Sequence, residues 1–113
     1  MNQYVRPPQE ALGPLSSKLD DPTSVPYFLW DEPMTVEELR RRIRDGSHAE
    51  RIRLVGKLLR EARDTEVWLF TNPEFVAKNW RAISLHLGTR RAFWTFLLRS
   101  WADQGRLEVD WAG

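Results

Sequence analysis

The chain has 113 residues, 42% of them apolar and 29% charged, with a net charge of +1 and no cysteine. That length supports one hydrophobic core and not two, and the missing thiols exclude disulfides and thiolate-held metals. No run approaches the roughly 20 apolar residues that span a bilayer, and the opening Met-Asn-Gln-Tyr-Val-Arg-Pro-Pro lacks the apolar centre of a signal peptide, so a cytoplasmic protein that does not enter membranes is expected.

The charge is unevenly placed. Residues 1–38 hold two basic and seven acidic side chains, residues 39–106 fifteen basic and seven acidic, and the last seven residues two acidic ones. A basic body between acidic flanks points to an anionic partner, either nucleic acid or an acidic protein surface, unless the arginines only solvate helix faces. Six tryptophans and five phenylalanines supply apolar area enough for a small fold without crosslinks, at roughly 150–250 Å² per buried ring.

Residues 1–24 contain Pro7, Pro8, Pro14 and Pro22 with Gly13 and Ser16-Ser17, a composition that resists regular helix, and they are expected to form a flexible arm. The remainder, 25–113, is expected to be one helical domain. Residues 25–35 join the two, and Tyr27, Phe28, Leu29 and Trp30 make this stretch an extended aromatic anchor. The Asp31 carboxylate that follows suits a turn or cap.

Thr35 and Glu38 form the first Thr-x-x-Glu capping box, followed by a predicted helix to about residue 44 with Val36, Leu39 and Ile43 on its inner stripe. Gly46 is expected to end it in a left-handed conformation. Ser47 and Glu50 open a second helix over 48–63 whose stripe is Ile52, Val55, Leu58, Leu59 and Ala62. Val67 to Phe70 reads as a short helix capped by Asp64 or Thr65. Thr71 and Glu74 then begin a helix carrying Phe75, Val76, Trp80, Ile83 and Leu87 up to Gly88. The last helix, 90 to about 104, is expected to bury Phe93, Phe96, Leu97 and Trp101, and Gly105 closes it. Trp94 and Leu98 lie beside that face, either as a second core stripe or as an exposed patch. Leu107, Val109 and Trp111 alternate with polar residues and are expected to pack as an extended tail.

No motif for catalysis is present. His48 and His86 each lack a second ligand at helical spacing and read as structural. Asp31 and Glu32 are adjacent and point apart, a poor acid and base pair. There is no glycine-rich phosphate loop or nucleophile elbow, so neither an enzyme nor a cofactor or metal is expected. Arg40, Arg41, Arg42 and Arg44, with Arg51 and Arg53, form the densest basic cluster, and the link between the first two helices resembles a helix-turn-helix. The second helix, however, offers no Asn or Gln to read bases.

The segments Pro26 through Asp31, Arg51 through Ala62, Asp64 through Trp68 and Leu87 through Trp94 resemble a family of small bacterial proteins encoded beside AbiEii-like nucleotidyltransferase toxins. The likeness spans about residues 25–105. It implies a small helical antitoxin or accessory partner of such a toxin.

The sequence therefore leads to an all-α fold of four to five helices and a noncatalytic interaction protein. Tyr27, Phe28, Trp30, Arg40, Arg41, Arg42, Arg44 and Trp94 are the expected contacts to a toxin partner. The alternative is a DNA- or RNA-binding regulator using Arg40, Arg41, Arg42, Arg44, Arg51 and Arg53, and a homodimer through exposed tryptophan is a third reading.

Overall fold

In the computed structural model of the protein, residues 12–111 are described. Most of them are helical. The described residues form five α-helices, α1 (Val36–Asp45), α2 (His48–Glu61), α3 (Pro73–Lys78), α4 (Trp80–Ile83) and α5 (Arg91–Asp103), with 3₁₀ turns between α2 and α3 and between α4 and α5, and the only strand pair among the described residues is β1 (Leu15–Ser16) with β2 (Val25–Pro26). The all-α expectation holds. The chain divides into two compact units between Arg41 and Arg42.

In the first unit, β1 and β2 run parallel with Leu15 opposite Val25. The first eleven residues of the expected arm lie outside the described residues. Residues 12–24 are folded around local hydrogen bonds. The Asp21 carboxylate accepts from the Thr23 amide and hydroxyl at 2.9 and 2.8 Å, the Ser24 hydroxyl donates to the Lys18 carbonyl at 2.6 Å, and Leu19 is buried. This loop also meets two amides that the start of α1 leaves without helical partners: Val36 N–H donates to the Ser24 carbonyl and Glu37 N–H to the Pro22 carbonyl. Thr35 Oγ1 accepts from the Glu38 amide at 3.1 Å, the cap predicted from the sequence. The stretch after β2 is a 3₁₀ turn, Tyr27–Leu29, and not an extended strap. Phe28 and Leu29 are buried within it and Trp30 emerges.

In the second unit, α2 starts at the predicted cap, where Ser47 Oγ accepts from the Glu50 amide at 3.1 Å. Gly46 is not left-handed. Among the described residues the positive-φ glycines are Gly13, Gly88 and Gly105, and Gly46 is needed because a Cβ there would lie 2.5 Å from the Arg42 carbonyl oxygen. Gly56 has a similar role in the middle of α2. A Cβ at that position would lie 2.6 Å from His86 Cβ, so the helix meets the 3₁₀ turn Ser84–His86 with almost no gap.

The single helix expected from 72 to 87 is broken. Its cap is Asn72, not Thr71: Asn72 Oδ1 accepts from the Phe75 amide at 2.7 Å. At Asn79 the backbone leaves helical geometry (φ −110°, ψ 20°) while the side-chain amide donates to the Phe75 carbonyl at 2.9 Å. An Asn side chain that competes for helix carbonyls in this way favours termination, so α3 ends there and α4 restarts at Trp80. Val67–Leu69 is a single 3₁₀ turn preceded by Glu66, with no side-chain cap from Asp64 or Thr65.

On α5 the Trp94 and Leu98 stripe is the core one of the two alternatives read from the sequence, and the first face is only partly used, with Leu97 and Trp101 half-buried. Trp94 and Leu98 are fully buried, whereas Phe93 is 38% and Phe96 71% exposed. The reason lies at the end of α2. That helix stops at Glu61 and Ala62 turns extended (ψ 161°), so the Leu59 carbonyl has lost its helical donor. The Trp94 indole N–H donates to it at 2.8 Å in a buried position. Trp68 sets its edge against Trp94 with ring centroids 5.7 Å apart and lies 6.1 Å from Trp101. Arg60 closes the same end by donating to the His86 carbonyl at 3.1 Å. The tail behaves as expected: Asp110 N–H donates to the Ala77 carbonyl, Trp111 meets Trp80 edge-on, and the Arg99 guanidinium lies 4.6 Å above the Trp111 ring.

Candidate partner-binding surface

The residues expected to bind a partner separate into buried and exposed sets. Phe28 is 1% and Trp94 0% exposed. Neither can touch a partner without unfolding, and both are corrected to core residues. The reason is local: Phe28 lies inside the 3₁₀ turn, with the Tyr27 ring edge-on at 5.2 Å, and Trp94 satisfies the end of α2. Tyr27 is half-buried. Trp30 is 59% exposed although its neighbours Phe28 and Leu29 are at 1%.

The basic cluster is partly exposed, with Arg42, Arg51 and Arg53 half-buried, and largely neutralised. Arg41 contacts Glu38 at 2.6 Å and Arg44 contacts Asp45 at 2.9 Å. The hydrogen bond and the charge of Asp45 raise the Arg44 pKa further above its usual value. Glu50 is shared, with Arg53 at 3.2 Å and Arg42 at 3.7 Å. The Arg51 guanidinium lies 4.9 Å over the Phe75 ring, and its Nε is buried without a hydrogen-bond partner. Exposed ion pairs of this kind contribute at most about 1 kcal/mol each. Their electrostatic consequence is larger, because a cation with a carboxylate 3 Å away presents little field at a Debye length of about 8 Å.

One surface was missed by the sequence reading. The outward side of α5 carries Ala92, Thr95, Phe96 and Arg99, which with Arg91 and Thr89 line an open hollow of about 700 Å³. No acidic residue lines it. The signal was present in the sequence: Ala92, Phe96 and Arg99 fall at helical spacing, opposite the Trp94 and Leu98 stripe. Leu85, 78% exposed, is a further apolar side chain that the core does not use.

Among the described residues, no group of three or more His, Cys, Asp or Glu side chains could hold a metal ion, and no helix is long and apolar enough to cross a membrane. No protein-family model, curated protein or solved structure matches the chain.

Proposed function

We propose that this chain is a noncatalytic protein-interaction module, working as an antitoxin that occupies the surface of a nucleotidyltransferase toxin in the bacterial cytoplasm. The partner class follows from the family resemblance of residues 25–105. The observation that carries the reading is Trp30, an indole 59% exposed beside residues that are fully packed. Exposed tryptophan is costly to leave in water and is the residue type most enriched among interface hot spots. The exposed Arg40, Arg41 and Arg44 add little to this reading, since Glu38 and Asp45 already hold two of them.

Trp30→Ala separates anchoring from folding. Because over half of the side chain is already in water, the substitution costs less than about 1 kcal/mol of stability. Losing a buried interface anchor costs about 2 kcal/mol or more of affinity, some thirtyfold in Kd. The assay is co-expression with an AbiEii-like toxin, reading growth rescue and co-purification for the parent chain and for Trp30→Ala. Absence of both rescue and complex with the parent chain removes the proposal. A Trp30→Ala chain that unfolds would return Trp30 to a structural role.

The regulator reading, based on Arg40, Arg41, Arg42, Arg44, Arg51 and Arg53, draws less support, since Glu38, Asp45 and Glu50 already hold four of the six.

A further inference from the structure

The hollow on α5 combines three properties that the predicted basic cluster lacks. Its cations have no counter-charge: among the described residues neither Arg91 nor Arg99 makes an ion pair, and the nearest aromatic partner of Arg99 is the Trp111 ring at 4.6 Å. It holds a planar ring in water, Phe96 at 71% exposure. It also offers two hydroxyls, Thr89 and Thr95, and the small Ala92, which leaves the hollow open beside Phe96.

Arg91 and Arg99 are eight positions apart, about 12 Å along the helix axis, with Phe96 between them. A second copy of the chain is a poor occupant, because pairing this face with itself would bring four arginines together without one carboxylate. The apolar lining is also too thin for a buried protein anchor, consisting of Ala92 and one ring. Cations at both ends of an open aromatic platform, with hydroxyl donors alongside, match instead a polyanion whose repeating unit has a flat face. We infer that the outward face of α5 binds single-stranded nucleic acid, with Phe96 stacking on a base and Arg91 and Arg99 each contacting a phosphate. This site is independent of the toxin-binding proposal and uses none of its residues.

The chemistry fixes the numbers to expect. Base stacking on an aromatic side chain is sequence-tolerant, so oligo-dT and oligo-rA should both bind. Two phosphate contacts on a single strand give a log–log salt slope near −1.4, so raising salt fourfold weakens binding about sevenfold.

The experiment is fluorescence anisotropy of labelled twelve-residue oligo-dT and oligo-rA, titrated with the full chain at 50 and 200 mM salt. Phe96→Ala should weaken binding about tenfold, and Phe96→Leu, which keeps the apolar bulk, should weaken it nearly as much. Arg91→Ala and Arg99→Ala should each flatten the salt slope by about 0.7, and Arg44→Ala should leave affinity unchanged. All these side chains are exposed, and unchanged melting of each variant confirms that folding is intact. Four results overturn the assignment. They are no binding at 50 mM salt, binding indifferent to Phe96 and both arginines, binding lost with Arg44→Ala instead, and displacement by poly-glutamate at equal charge concentration. The last would make this face a docking surface for acidic protein.

Discussion

Replacing Trp94 by Phe tests the junction between α2 and α5, because it removes one hydrogen-bond donor from a fully buried site. The indole N–H is the partner of the Leu59 carbonyl at 2.8 Å. A buried carbonyl left without a donor costs about 1–3 kcal/mol. The smaller ring also leaves roughly 40 Å³ unfilled, which at about 24 cal/mol per Å³ adds about 1 kcal/mol. The total is about 2–4 kcal/mol. Unfolding entropy near 2.1 cal/mol/K per residue over 113 residues converts this to a Tm drop of about 8–17 °C. Thermal and urea melts of the two proteins measure it. Incorporating benzothienylalanine at position 94 isolates the donor, since sulfur replaces N–H with the ring shape kept, and should by itself cost about 1–3 kcal/mol. If that analogue is as stable as the parent, the indole hydrogen bond does not hold the end of α2 and the explanation for the orientation of α5 fails.

Gly56→Ala would ordinarily stabilise a helix interior by about 1 kcal/mol, but here the new methyl meets His86 Cβ at 2.6 Å. A net loss of about 1–3 kcal/mol in urea unfolding is expected, and a gain in stability would show that the turn bearing His86 yields freely. The Asp21 carboxyl should titrate below its ordinary value of 3.8, because the Thr23 amide and then the Thr23 hydroxyl donate to its charged form. A depressed folded-state pKa gives stability that is complete above the unfolded value and is lost as pH falls through the folded one. Carbon-detected NMR titration from pH 6 to 2 reads the shift directly, and Asp21→Ala should abolish that part of the acid sensitivity.

Local chemistry made much of the fold legible. Thr35 and Ser47 announce their helices because a side-chain oxygen three residues before an amide is a short-range fact, and both caps are present. Gly88 and Gly105 mark turns for the same reason, with φ of 53° and 76°. What escaped depends on which of several possible partners a side chain takes, whether four residues away or far along the chain. Asn79 looks like an ordinary surface residue until its side chain takes the Phe75 carbonyl. On α5, every aromatic position is a candidate for burial by composition, and the choice between Trp94 and Phe96 is made 35 residues away by the Leu59 carbonyl. Among the expected contact residues the same limit applies. Trp30 and Phe28 differ in exposure by 58 percentage points although they are two positions apart, because Phe28 lies inside the 3₁₀ turn and Trp30 just past its end.

The distribution of arginine sharpens this point for function. A run such as Arg40-Arg41-Arg42 draws the eye because like charges are dense, yet a dense run on a helix invites carboxylates at neighbouring turns. Glu38, Asp45 and Glu50 are three, four or fewer positions from an arginine or lie just across the turn, and all are engaged. Arg91 and Arg99 are sparser in the sequence, but Asp103 is the only acidic residue within α5, and it does not line the hollow. The field a polyanion meets depends on cations that lack a counter-charge, not on cations per residue. By that criterion Arg91 and Arg99 on α5 contribute more to the field of residues 39–106 than their spacing in the sequence suggests. A comparison of Arg91→Glu with Arg41→Glu in the anisotropy assay therefore weighs the two surfaces directly. The substitution on α5 should abolish binding at 50 mM salt, whereas the one in the run should change it by less than about threefold.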